Sequence, residues 1–256
     1  MDYSKTFTST SIPPTWRILL AFAAAKDWEI EQIDFIGAFL NSDLDVDIYL
    51  STPEGFSEWL ATATTEIKRL AKSLGFKRSE KQVILLKKAL YGLKQGFRKW
   101  QNKLVFLLNK KGYKQLISDP AVFFNAKTKH FIITFINDCL VIGPNITYIN
   151  ALKRSLHKVY ALENRGPAAY FLGVQIIRDR PNRQLWIYQS QYIDEMLKTF
   201  GLNASRFISI PLQPGVLKDT KGQPITFAKT KLLQRIVSTV IYLMLLTCPD
   251  IGFAVQ

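Results

Sequence analysis

Apolar and polar residues alternate along this chain with two different periods, and each period predicts its own kind of element. Over residues 100–111, Trp100, Leu104, Leu107 and Leu108 recur at helical spacing, Lys99, Lys103, Lys110 and Lys111 fall on other faces, and Gly112 supplies a stop. Residues 12–26 open with Pro13 and Pro14 and run on through Ile18, Leu19, Leu20, Phe22 and a stretch of Ala, which predicts a largely buried helix with proline in its first turn. Further helices are predicted over 148–160, over 191–200 with Ser190 as cap and Gly201 as stop, and over 230–247, where Pro249 ends the run.

The strand signals are shorter. Residues 28–35 predict a strand that ends at Asp34, after which residues 37–41 turn away. Two β-prone runs, 131–136 and 139–142, meet at the polar pair Asn137 and Asp138 and predict a hairpin with that pair at its tip. A carboxylate at such a tip can face a metal ion and a phosphate. Residues 169–177 and 185–188 predict a second hairpin, joined by the polar stretch 178–184. Asp43, Asp45 and Asp47 alternate with Leu44, Val46 and Ile48, which a solvated hairpin arm explains without chemistry. Helices and antiparallel strands thus follow one another irregularly, the mark of an α+β fold and not of a doubly wound parallel sheet.

Composition narrows the class. A chain of 256 residues that is 48% hydrophobic can bury a large core in one large or two modest domains. Cys139 and Cys248 make neither a disulfide framework nor a CxxC pair, so a reducing, intracellular setting is expected and structural zinc is not. No secretory signal is read at the start, and the longest apolar candidate, 236–246, contains Ser238 and Thr239 and has the length of a core helix, so no membrane partner is expected. GxxxxGK[ST] and GxGxxG loops are absent, which counts against NTPase and dinucleotide functions. His130 and His157 have no partners at metal-ligand spacing and read as surface residues, and Cys139 reads as a small strand residue.

Charge location says more than charge size. The net charge is +14, and residues 68–114 alone hold fifteen Lys and Arg against the single acid Glu80, leaving nineteen of each sign in the rest of the chain. A solvated lysine face is one reading of that window. Interleaving with Phe76, Tyr91, Phe97, Trp100 and Tyr113 favours a polyanion-binding surface, with Lys94, Arg98, Lys99 and Lys103 as candidate phosphate contacts. Such contacts are independent of sequence and weaken steeply with salt.

Taken in order, these segments resemble the reverse transcriptase of copia-type retrotransposons. The resemblance is carried by Asp2, Tyr3, Thr6 and Phe7; WEIEQIDFIGAFLN over 28–41; IYLSTPEGF over 48–56; LYGLKQ over 90–95 with Arg98 and Trp100; Asp119 and Pro120; FIND over 135–138; YFLG over 170–173; Arg178 to Arg180; Tyr192 and Ile193; and Thr247, Pro249, Asp250 and Ile251. It implies a right-hand polymerase, with palm and partial fingers over residues 1–180 and the start of a thumb or connection over 181–256, cut short in this chain. It implies RNA- and DNA-directed DNA synthesis at a site using two Mg2+ ions, with Asp34 and Asp138 as metal-binding catalytic carboxylates and Asn137 at the third ligand position. By the same resemblance Phe35, Gln95 and Phe135 line a nucleotide pocket, and Tyr170, Phe171, Leu172 and Gly173 form a primer-grip-like hairpin. The implied partners are an RNA or DNA template-primer, dNTPs, and the integrase and RNase H segments of a parent polyprotein, in a cytoplasmic particle or the nucleus.

Several positions depart from the family pattern. Phe135 and Ile136 replace its Tyr and Val and keep the bulk, and Gly96 and Phe97 replace a small residue and Pro. Asn137 replaces its first hairpin Asp and brings no charge to two divalent cations, so a loss of several orders of magnitude in rate is expected. The basic finger strands upstream and the RNase H carboxylates downstream are expected to be missing. Three accounts follow: a polymerase with residual activity, a non-catalytic nucleic-acid-binding remnant, and an inert retroelement fragment. A degenerate copy with impaired catalysis is the leading expectation.

Overall fold

The computed structural model describes residues 9–76, 83–206, 208, 210 and 226–255, so Asp2, Tyr3, Thr6, Phe7 and Glu80 lie outside the described residues. In chain order the elements are α1 (Pro13–Lys26), β1 (Glu29–Phe35), β2 (Tyr49–Ser51), α2 (Phe56–Thr62), α3 (Thr65–Ser73), β3 (Val83–Leu85), α4 (Gly96–Lys110), β4 (Lys114–Gln115), β5 (Val122–Asn125), β6 (His130–Phe135) and β7 (Asp138–Gly143). There follow α5 (Ile146–His157), β8 (Leu162–Pro167), β9 (Tyr170–Phe171), β10 (Val174–Asp179), β11 (Gln184–Tyr188), α6 (Ser190–Thr199), α7 (Phe227–Leu246) and α8 (Gly252–Val255). Helix and antiparallel sheet are mixed without βαβ regularity, as the α+β reading expects.

The residues group into two compact units, one holding Phe35–Gly112 and the other Thr10–Asp34 with the chain from Tyr113 onward. The second unit is built on a six-stranded sheet in the order β4-β5-β6-β7-β1-β8. Its core is the apolar face of α1, with Trp16, Leu19, Leu20 and Ala23 set among Ile30, Ile133, Leu140 and Ile142 of the sheet and Phe171, Val174 and Ile176 of the small β9-β10-β11 sheet. Proline starts α1 because its missing N–H falls among donors that have no helical partner there. At the other end Arg178 donates to the carbonyls of Ala23 (3.2 Å) and Trp28 and to Asp27 (3.1 Å), while Arg180 forks onto Glu29 and Asp27. The Arg178 to Arg180 signature therefore ties the β10–β11 hairpin to the turn between α1 and β1, with a cation at a helix C-terminus where the dipole favours it.

In the first unit α4 buries Trp100, Leu104, Leu107 and Leu108, the stripe expected from the helical period, and begins at Gly96, earlier than the pattern indicated. Phe35 meets Trp100 edge-on at 5.2 Å between ring centroids.

Three local expectations are corrected. The hairpin turn consists of Ile136 and Asn137, because Phe135 pairs with Asp138, so Asp138 belongs to a strand and not to the tip. Ile136 takes a left-handed φ of 58°, which a β-branched residue adopts at a cost. His130 is buried at 1% exposure, its ring tilted against Tyr148 at 4.5 Å between centroids and donating from Nε2 to the Asn145 carbonyl at 3.3 Å. Ser190 is the first residue of α6 and makes no cap bond; Gln189 stands at the cap position.

Candidate active site

Two adjacent interior strands of the sheet create the site. β1 and β7 are antiparallel, and their register puts Asp34 directly opposite Asp138, with Ile33 opposite Cys139 and Ile30 opposite Ile142. Directly paired residues project to the same face, and residues two apart along a strand share it, so Ile30, Gln32 and Asp34 line one face with Ile142, Leu140 and Asp138. That face is apolar core at one end and carboxylate at the other. Like charges placed opposite each other on neighbouring strands repel, so the arrangement calls for a cation.

The side chains around the pair are specific. Asn137, in the turn, donates from Nδ2 to Oδ1 of Asp34 at 2.6 Å. Gln32 donates to Oδ1 of Asp138 at 3.4 Å. Arg165, on β8 next to β1, ion-pairs through Nη2 with Oδ2 of Asp34 and through Nη1 with Oδ1 of Asp138 at 3.4 Å. Burial pushes the Asp138 carboxyl above the ordinary carboxylate range and the neighbouring Asp34 pushes it the same way, against the smaller pulls of Gln32 and Arg165. Partial burial alone would lower the Arg165 guanidinium, and the two aspartates outweigh it and raise it, so it is a permanent cation here. Cys139, fully enclosed beneath this pair, has its thiol pushed up by burial and is chemically quiet.

The structure thus brings Asp34, Asp138 and Asn137 together. Arg165 was not found from sequence, since a lone Arg in the run LENRGP has no motif to mark it, and only strand pairing puts it beside the carboxylates. The buried ion pair of Glu31 and Lys153, 2.6 Å apart one residue before Gln32 in the sheet, went unread for the same reason.

These donors fit a pair of divalent cations poorly. Asp34 has one oxygen held by an amide and the other by a guanidinium, Asp138 shares that guanidinium, and the third position is a neutral amide whose nitrogen faces Asp34. Among the described residues no group of three or more His, Cys, Asp and Glu could hold a metal ion.

The other candidate residues lie as follows. Phe135 closes the hairpin strand β6 opposite Asp138, and Phe35 and Gln95 belong to the first unit, Gln95 at the cap position of α4. Tyr170 and Phe171 form β9 and pair with Gln175 and Val174, joined by Leu172 and Gly173, both with positive φ. The Tyr242 hydroxyl donates to the Leu172 carbonyl at 2.6 Å. In the basic window Lys94 is exposed and Arg98 half-buried. Lys99 is ion-paired with Asp45, and Lys103 donates to Asp43 and to the Asn41 carbonyl, each at 2.8 Å. Hydrogen bonds from Lys103 and Lys88 hold the Asp43 carboxyl down at about 2. Asp43 and Asp45, read as part of a solvated arm, are therefore counter-ions of the basic face. Among the described residues no helix is long and apolar enough to cross a membrane.

Comparison with known proteins identifies the family. The family described as reverse transcriptase (RNA-dependent DNA polymerase) matches residues 1–214. The retrovirus-related Pol polyprotein from transposon TNT 1-94 of Nicotiana tabacum is 30% identical over 263 residues, covering 100% of this chain and 18% of the relative. The retrovirus-related Pol polyprotein from transposon RE1 of Arabidopsis thaliana is 28% identical over 259 residues, covering 100% of this chain and 16% of its own length. The chain thus spans under a fifth of these relatives. With aspartates facing each other across two adjacent strands of the sheet and a family match over most of its length, the chain belongs to the reverse transcriptases of copia-type retrotransposon Pol polyproteins.

Proposed function

We propose that this chain is the polymerase module of a copia-type element, a palm with partial fingers adapted to template-directed DNA synthesis, whose catalytic turnover is impaired while its nucleic-acid contacts persist. The observation that supports it is the register pair of Asp34 and Asp138 on adjacent interior strands. In this reading those two are the catalytic carboxylates, and Asn137 is the degenerate third position. Phe35, Gln95 and Phe135 border the incoming dNTP, and the hairpin of Tyr170, Phe171, Leu172 and Gly173 supports the primer end. Lys94, Arg98, Lys99 and Lys103 hold phosphates of an RNA or DNA template-primer. In this reading the palm with partial fingers covers residues 1–180 and the start of a thumb or connection covers 181–256. In the parent element integrase and RNase H segments accompany it, in a cytoplasmic particle or the nucleus.

Reverse transcriptases depend on Mg2+ to activate the primer hydroxyl, and the donors found here do not suit that ion as arranged. Impairment is therefore the expected state. The test separates binding from chemistry on one sample. A labelled template-primer should bind at low salt and be released steeply as salt rises, as phosphate contacts require. Extension with Mg2+ and all four dNTPs should stay at background. Efficient extension would overturn the impairment, and absence of binding by folded protein at low salt would overturn the polymerase module.

A further inference from the structure

The geometry points to Arg165 as a resident cation that stands in place of divalent metal between Asp34 and Asp138, closing the carboxylate pair against Mg2+ for as long as its guanidinium is there. The inference rests on reading these aspartates as the family's metal ligands. Three features carry it. Arg165 contacts both carboxylates, with one terminal nitrogen on each, so the planar fork spans the gap between the facing strands. It is held by β8, the strand next to β1, and so is presented at the pair by the sheet itself and not by a long excursion of a distant side chain. Asn137 completes the closure by donating to the Asp34 oxygen that Arg165 leaves, so that neither oxygen of Asp34 is without a partner.

Competition favours the guanidinium. A tethered cation acts at an effective concentration of at least about a millimolar, so a free ion at similar concentration must displace it. A guanidinium is weakly hydrated and sheds water readily, whereas Mg2+ gives up its waters reluctantly and asks for near-octahedral oxygen donors. Asp34 and Asp138 carry only two negative charges, and Asn137 adds none to draw in a second divalent ion. One positive charge on Arg165 offsets half of that pair and leaves little for a metal to gain. The two departures therefore act together: the missing hairpin carboxylate removes a ligand, and Arg165 occupies those that remain.

The test measures metal binding directly, with Mn2+ as the probe, from the electron paramagnetic resonance signal of the free ion. The full chain is compared as it stands with Asn137→Asp, Arg165→Leu, the double variant, and Arg165→Leu with Asp138→Asn. The unmodified chain and Asn137→Asp should show only weak binding that does not saturate in the millimolar range. Arg165→Leu should bind at least tenfold more tightly, the double variant more tightly still, and Asp138→Asn should abolish the gain. The melting temperature should rise with Mg2+ in Arg165→Leu and stay level in the unmodified chain. If Arg165→Leu does not fold, Arg165→Gln, which keeps polarity without charge, takes its place. Mn2+ bound by the unmodified chain as tightly as by the Arg165 variant would overturn the inference, as would a folded Arg165 variant that gains nothing. No nucleic acid or dNTP enters the assay, so a failure of template-primer binding leaves it standing. Tight Mn2+ binding by the unmodified chain would sink this inference while favouring the polymerase reading.

Discussion

Replacing Glu31 by Gln should destabilise the protein strongly, because it breaks a buried ion pair. Glu31 on β1 and Lys153 on α5 are 2.6 Å apart with side chains only 8% and 5% exposed, and Lys153 also donates to Asn164 Oδ1 at 2.6 Å. At an effective dielectric constant of about 20 their attraction is roughly 6 kcal/mol, and taking two ions out of water costs several kcal/mol each, so the intact pair comes out near zero. Removing one charge is a different matter. The Gln keeps the shape and one hydrogen bond, but the ammonium stays buried without its counter-ion, which costs about 3–5 kcal/mol. For a chain of this size that corresponds to a fall of roughly 6–20 °C in Tm. Urea unfolding followed by tryptophan fluorescence measures it, since Trp16 is fully buried in the same unit and reports loss of its packing. The double variant Glu31→Met, Lys153→Met removes both charges and should return to within about 2 kcal/mol of the unmodified chain. A loss below about 1 kcal/mol in Glu31→Gln, or a double variant no better than the single, would refute the reasoning.

Three further outcomes are expected. Asp43→Asn with Asp45→Asn should strengthen nucleic-acid binding at low salt several-fold, because Lys88, Lys99 and Lys103 lose internal counter-ions; unchanged affinity in a filter-binding titration would show that the basic face does not contact phosphate. Gly143→Ala should cost about 1–3 kcal/mol, since its Cβ would lie 2.1 Å from Cδ2 of the His130 ring, which Tyr148 and the Asn145 carbonyl hold in place; thermal melting checks it, and an unchanged Tm would mean the ring can move freely. Asp138→Asn should raise Tm at pH 7 and lose that advantage in acid. The folded carboxyl lies above its unfolded value, so its contribution is fully present below the unfolded pKa and is lost as pH rises through the folded one; a Tm gain that persists unchanged below pH 3.5 or so would contradict the sign.

Much of this protein was legible along the chain because its signals are local. Proline at the start of α1, the Trp100–Leu104–Leu107–Leu108 stripe of α4 and the two β-prone runs around Asn137 each depend on residues within a turn or two, where steric and hydrogen-bonding rules act without help from the rest of the fold. The ordered motifs that brought Asp34 and Asp138 under suspicion are local too. Register was less secure: one residue of ambiguity put Asp138 at a tip that belongs to Ile136 and Asn137, since the run permits either turn and only the pairing of Phe135 with Asp138 chooses. Contacts between distant strands were out of reach. Arg165 lies 131 positions from Asp34, Lys153 lies 122 from Glu31, and Lys103 lies 60 from Asp43; nothing in their neighbours distinguishes these charges from solvated ones. His130 looked like a surface residue until an adjacent glycine, Gly143, left room for its ring inside the sheet. The sequence by itself determined which residues can ionise and which stretches become strands. Sheet order decided which charges meet, because electrostatic interaction depends on distance in space, and only the tertiary structure sets that distance.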